Sequence, residues 1–143
     1  MIKIIAGGKK HGGEYGWLIH DYQKRTRAPF DFEFKFFEGE KLDKFLSEWP
    51  FTGNEFVILC DERGENLSSP EVKDLFEKQF NSSKEVVIII GAAFGVSEEI
   101  RERADFVWSF SRLVFPHMLS RLIVAEQIYR AQEISRGGGY HHE

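Results

Sequence analysis

The chain has 143 residues, 42% of them hydrophobic and 29% charged, which suits one domain (residues 1–143) with a full core and excludes a disordered, collagen-like or coiled-coil chain. No apolar run approaches the ~20 residues of a membrane span. The single cysteine, Cys60, rules out an internal disulfide and CxxC-type zinc sites and fits a reducing cytoplasm.

Met1–Ala6 is a short β-rich run ending in Gly7-Gly8, without the long apolar core of a signal peptide. In Tyr15–Arg25, Leu18, Ile19 and Tyr22 follow Tyr15 at helical spacing. Phe30–Phe37 (FDFEFKFF) alternates with period two, the pattern of a half-exposed strand near a sheet edge. Lys41–Trp49 reads as a short helix stopped by Pro50. Glu55–Cys60 (EFVILC) and Glu85–Ile90 (EVVIII) are continuous apolar runs, expected of strands buried on both faces. Between them a helix opens with Ser69 as cap, Pro70 in its first turn and Glu71 complementing the dipole. Ser97 caps a short helix, Phe106–Ser111 is a strand, and Pro116–Ser135 is the longest helix. On that helix Met118, Leu122, Ala125 and Tyr129 form an apolar stripe, widened by Ile123 and Ile128, that can pack on the sheet and on a second subunit. The βαβα order predicts a mostly parallel α/β sheet with helices on both faces.

Ligands of such sheets bind beyond the carboxyl ends of the strands. Three segments leave these ends: Cys60–Gly64, Gly91–Gly95 and Phe110–His117. Gly91 and Gly95 either let a ligand approach the backbone or only make a strand-to-helix turn; their spacing fits neither GxGxxG nor GxxxxGK[ST]. Asp61 suits a ribose hydroxyl or a turn. His117 has an imidazole able to move a proton, or it is a plain helix-start residue. Glu126 and Arg130 are an i,i+4 pair, usually solvated. Cys60 reads as packing rather than a nucleophile. The histidines and carboxylates show no recognisable metal-ligand spacing, so no metal is expected.

Taken together, IIIGAAFG (Ile88–Gly95), WSFSRLVFPHMLSRLIVAEQIYRAQEI (Trp108–Ile134) and YHHE (Tyr140–Glu143) resemble the ribosomal RNA large-subunit methyltransferase H family, a minimal branch of the SPOUT class. IKIIAGGKK and ILCDERGENLSS match more loosely, so the resemblance runs through nearly the whole chain in order. It implies a homodimer with a trefoil knot near the C-terminus that binds S-adenosylmethionine and methylates N3 of a pseudouridine of 23S rRNA in the assembled ribosome. Carried over by position, the cofactor meets Cys60, Gly91, and Phe110, Ser111, Arg112, Leu113, Val114 and Phe115. His117 and Arg121 lie beside it, with His117 or His141 assisting proton loss. Arg121 or Arg130 holds a phosphate or the developing charge, and Tyr140 and His141 belong to the tail that reaches the target base. The sequence departs from the family at Ala92, where a second glycine is usual, and at Val114, where threonine is frequent; it is also shorter after the Phe30–Phe37 strand. A SPOUT enzyme acting on tRNA and a non-catalytic α/β ligand-binding module are the competing readings.

The net charge of −4 argues only against a uniformly basic binder of nucleic acid. Residues 1–36 carry seven basic and four acidic groups, residues 37–105 eight and sixteen, and residues 106–143 four and three. The acidity is central, and both ends are neutral to basic.

Overall fold

The computed structural model describes residues 1–93 and 95–142. Phe94 of the glycine turn and Glu143 of the terminal YHHE lie outside them. Five parallel strands, β1 (Ile2–Gly7), β2 (Phe32–Phe37), β3 (Glu55–Asn66), β4 (Glu85–Ile90) and β5 (Phe106–Ser109), form one sheet in the order β2-β1-β4-β3-β5. Helices α1 (Gly13–Arg25), α3 (Ser69–Asn81) and α5 (His117–Ser135) cover one face, and α2 (Lys41–Ser47) and α4 (Glu98–Arg103) the other.

The apolar runs place the core. In β4, Val86, Ile88 and Ile90 face α1, α3 and α5, while Val87 and Ile89 face α2 and α4. All five are buried, so the strand reads as an unbroken apolar run. Each such side chain contributes about 1.5–3 kcal/mol. Ile19, Val72, Phe76, Val124 and Ile128 close the first layer, and Leu42, Leu46 and Ile100 the second. β2 is an edge strand, with Phe32 buried and Glu33 and Lys35 exposed, as its period-two pattern requires.

Three local expectations change. The α3 cap is Ser68, not Ser69: its hydroxyl accepts from the Glu71 amide (3.2 Å) while its own amide donates to the Glu71 carboxylate (2.9 Å). This capping box satisfies two helix-end donors at once, which a Ser69 cap cannot do with Glu71. β3 does not stop at Cys60. It loops out and rejoins β5, so that both Cys60 and Glu65 pair with Trp108. The buried face of α5 is turned away from the predicted stripe. Ala125 and Ile128 are buried, but Met118, Leu122, Ile123 and Tyr129 are only half-buried, and Arg121, Val124, Ala131 and Gln132 fill the interior.

Candidate active site

The carboxyl ends of β3, β4 and β5 open into a cavity of about 570 Å³. Its floor is Leu59 and Ile90, one wall is the β3 loop-out Asp61–Arg63, another is Gly91–Ala93, and the third is the segment from Phe110 to Pro116. Seven of the eight predicted cofactor positions line it: Cys60, Gly91, Phe110, Ser111, Leu113, Val114 and Phe115. Arg112 is exposed and does not. His117, the first residue of α5, completes the rim, one turn before Ser120. Both departures from the family pattern, Ala92 and Val114, line the cavity, and Val114 is 78% exposed.

Hydrogen bonds fix the walls. Asn66 Nδ2 donates to the Ser109 carbonyl (2.9 Å). The Ser109 hydroxyl donates to the Ser111 carbonyl (2.8 Å), and the Leu113 amide to the Ser111 hydroxyl (2.8 Å). The β5–α5 segment thus inherits its shape from β3. On the opposite wall the Arg63 backbone amide donates to Asp61 Oδ1 (2.9 Å), and its guanidinium grips both carboxylate oxygens (2.9 and 2.8 Å). These bonds from Arg63 hold the Asp61 carboxyl below its ordinary range against the opposing effect of burial. Asp61 therefore both makes the turn and lines the cavity. Gly64 follows because the strand presses on β5: a Cβ there would lie 2.3 Å from the Val107 carbonyl oxygen. Burial, with the Asp61 carboxylate adjacent, pushes the Cys60 thiol far above the usual thiol range, so it is a packing group.

The other predicted catalytic residues lie outside the cavity lining. Arg121 is fully buried behind it. Its Nη2 donates to the Gly7 carbonyl (2.9 Å) and Nη1 to the Lys9 carbonyl (2.7 Å), and its Cζ lies 5.1 Å from the Phe36 ring centroid. Tyr140 and His141 fold back on the second half of α5. Tyr140 packs edge-on against Tyr129 (4.9 Å) and beneath the Arg130 guanidinium (4.8 Å). His141 Nδ1 is 3.0 Å from Arg130 Nη1. The Glu126–Arg130 pair is half-buried, with bonds of 2.8–3.2 Å, and supports this tail rather than standing in solvent. Burial, then the Tyr22 hydroxyl, pushes the Tyr140 phenol up to about 12, so it stays protonated. Thirteen residues of helix separate His117 from Arg130, about 20 Å along the axis. The tail of a chain is thus remote from that chain's own cavity. Glu62 and the apolar floor were not among the expected site residues, although the LCDERG stretch held that signal, since a strand-end turn is also a cavity wall.

A family model described as "Predicted SPOUT methyltransferase" matches residues 1–141. The chain is 38% identical to the ribosomal RNA large subunit methyltransferase H of Caldicellulosiruptor bescii, covering 99% of both proteins. It is 44% identical to the protein of that name in Desulfitobacterium hafniense, covering 99% of this chain and 98% of the relative. Among solved structures, a protein from Haemophilus influenzae described as a probable methylase family member superposes with a TM-score of 0.61 at 10% identity, over 99% of this chain and 70% of that one. A SpoU methyltransferase from Streptomyces viridochromogenes in complex with AdoMet gives 0.51 at 12% identity, over 93% and 58%. The structural matches establish the fold, and the sequence matches the family: the chain belongs to the SPOUT methyltransferases, in the ribosomal RNA large subunit methyltransferase H family.

Proposed function

We propose that this chain transfers the methyl group of S-adenosylmethionine to N3 of a pseudouridine in 23S rRNA, on the assembled ribosome, in the cytoplasm. It acts as a homodimer of single knotted domains, residues 1–143. The observation that carries this reading is a cavity at the strand ends with His117 on its rim, in a chain related over nearly its whole length to proteins named for large-subunit rRNA methylation.

The cavity fits the cofactor. Its volume is in the range of small-molecule sites. Leu59, Ile90, Phe110 and Leu113 offer apolar surface for an adenine, and the Asp61 and Glu62 carboxylates suit hydroxyl and amino groups. Backbone contacts from Ser111–Phe115 survive the presence of Val114, whereas a contact from a threonine side chain does not. When bound, S-adenosylmethionine supplies an electrophilic methyl group. The chain then has two tasks, to orient the base and to remove the N3 proton. The His117 imidazole takes that proton at the cavity rim. Arg121 acts through position, tying the end of β1 to the helix turn that carries His117.

Because Tyr140 and His141 lie about 20 Å along α5 from His117, they serve the cavity of a second copy. His141 Nε2 is buried without a hydrogen-bond partner among the described residues, as expected of a group that awaits one. Trp17 (80% exposed), Leu18 (49%) and Tyr15 on α1 supply an apolar surface on which that copy can dock.

The test is tritiated-methyl transfer to ribosomes from a strain lacking the modification, beside bulk tRNA. Ribosome labelling is expected; labelling of tRNA alone overturns the substrate. Single-turnover rates of His117→Ala and His141→Ala then assign the proton. Wild-type rates in both remove them as acid–base groups.

A further inference from the structure

Three cationic residues, Lys9, Lys10 and Arg121, lie at the carboxyl end of β1. Lys9 and Lys10 are exposed between β1 and α1, and neither they nor Arg121 forms an ion pair among the described residues. Arg121 lies behind them, fully buried, its Nε without a partner. The nearby acidic residues are Glu14, exposed in the first turn of α1, and Glu38, exposed just after the Phe37 carbonyl that accepts from the Gly8 amide; among the described residues neither forms an ion pair with the three cations. The neighbouring imidazole senses this field. Burial, and then Arg121 and Lys10, push His11 down to about 4, so it stays neutral.

The place of the cluster matters as much as its charge. β1 and β4 are adjacent, yet α1 leaves to one face of the sheet and α4 to the other. This is the topological switch point, where open parallel sheets bind ligands. The segment is rigidly held: the Gly8 amide donates to the Phe37 carbonyl (2.8 Å), and Arg121 binds the carbonyls on either side of Gly8. Gly8 has φ +105°, and a Cβ there would stand 3.3 Å from Arg121 Nη2 and 3.7 Å from His117 Nε2. The backbone that carries the lysines is therefore held next to the residue that rims the cavity.

We infer that Lys9 and Lys10 bind backbone phosphates of the RNA strand whose nucleotide enters the cavity, with Arg121 as the buried pin of the loop that carries them. This deepens the RNA-methyltransferase reading and rests on it. An ammonium is a point charge that holds a phosphate without reading sequence, and the buried Arg121 guanidinium adds positive charge behind it.

The experiment compares wild type with Lys9→Ala/Lys10→Ala in methyl transfer to unmodified ribosomes, between 50 and 200 mM KCl. Each phosphate contact on single-stranded RNA contributes about 0.7 to the log–log salt slope. Losing two lowers the slope by about 1.4, so the fourfold rise in salt costs the variant about sevenfold less kcat/KM than wild type. S-adenosylmethionine binding by calorimetry is expected unchanged. Lys9→Arg/Lys10→Arg restores the slope, and Lys41→Ala/Lys44→Ala, on α2, leaves it as in wild type. An unaltered slope in the alanine pair overturns the inference, as does a loss shared equally by the α2 pair. If wild type methylates neither ribosomes nor tRNA, the reading of the activity fails. Filter binding of 23S rRNA then decides the inference alone, and equal salt dependence in both proteins rejects it.

Discussion

Arg121 Nη2 donates to the Gly7 carbonyl across 114 residues of sequence, joining the end of the first strand to the last helix. The bond to the Gly7 carbonyl is buried and the one to the Lys9 carbonyl partly so. Each buried acceptor left alone costs about 1–3 kcal/mol. Arg121→Met is expected to lower unfolding free energy by about 2–4 kcal/mol in urea titration, and Arg121→Lys by less, since one ammonium still reaches a carbonyl.

Gly64→Ala tests the contact between β3 and β5. With a methyl group 2.3 Å from the Val107 carbonyl oxygen, the strands must part. A loss of about 1–3 kcal/mol is expected from overpacking. The Asp61–Arg63 wall moves with the strand, so calorimetry should also register weaker S-adenosylmethionine binding. A protein of wild-type stability and affinity would show that the loop-out relaxes freely.

His11 gives a pH dependence with a definite sign. Its ring packs edge-on against Phe34 and Phe36, and its pKa falls from 6.5 to about 4 on folding. Between these values the unfolded chain binds more protons, so stability rises with pH. The contribution is complete above pH 6.5 and is lost as pH falls toward 4. The urea midpoint of wild type should therefore drop between pH 7 and 4.5 by more than that of His11→Gln, the difference isolating this group from the carboxylates.

Cys60 should resist iodoacetamide at pH 8 in the folded protein and react on denaturation, as intact-mass spectrometry would report. Fast modification of the native protein would contradict a thiolate disfavoured by burial and by Asp61.

Trp17→Glu tests the partner surface. A charge on the most exposed aromatic of α1 should shift light scattering toward monomer and lower methyl transfer at least tenfold, with the far-ultraviolet spectrum unchanged. An active monomer would mean that each chain completes its own site.

The apolar runs EFVILC and EVVIII led directly to the central strands, because a six-residue, β-branched apolar run is what a strand buried on both faces requires and is too short for a buried helix. The face of α5 was not legible in the same way. Its buried stripe contains Arg121 and Gln132, which periodicity treats as outward residues. Gln132 is buried because its side-chain oxygen accepts from the Arg27 amide (2.7 Å) and its nitrogen donates to the Arg25 carbonyl (3.0 Å), satisfying the end of α1. A polar side chain spent on a distant backbone cannot be recognised from its own helix. The site divided similarly. Strand-end positions such as Gly91 and Phe110 follow from topology, whereas the burial of Arg121 and the docking of His141 on Arg130 depend on contacts between distant segments.

The loop-out of β3 has an evolutionary side. An insertion within a strand ordinarily turns every later side chain to the opposite face. Here Trp108 of β5 pairs with Cys60 before the excursion and with Glu65 after it, so the sheet resumes its ladder beyond the loop-out. With Gly64 keeping the strand seated on β5, Asp61, Glu62 and Arg63 can exchange size and charge without disturbing the core, which lets selection retune the mouth of the cavity while the scaffold beneath it stays constant.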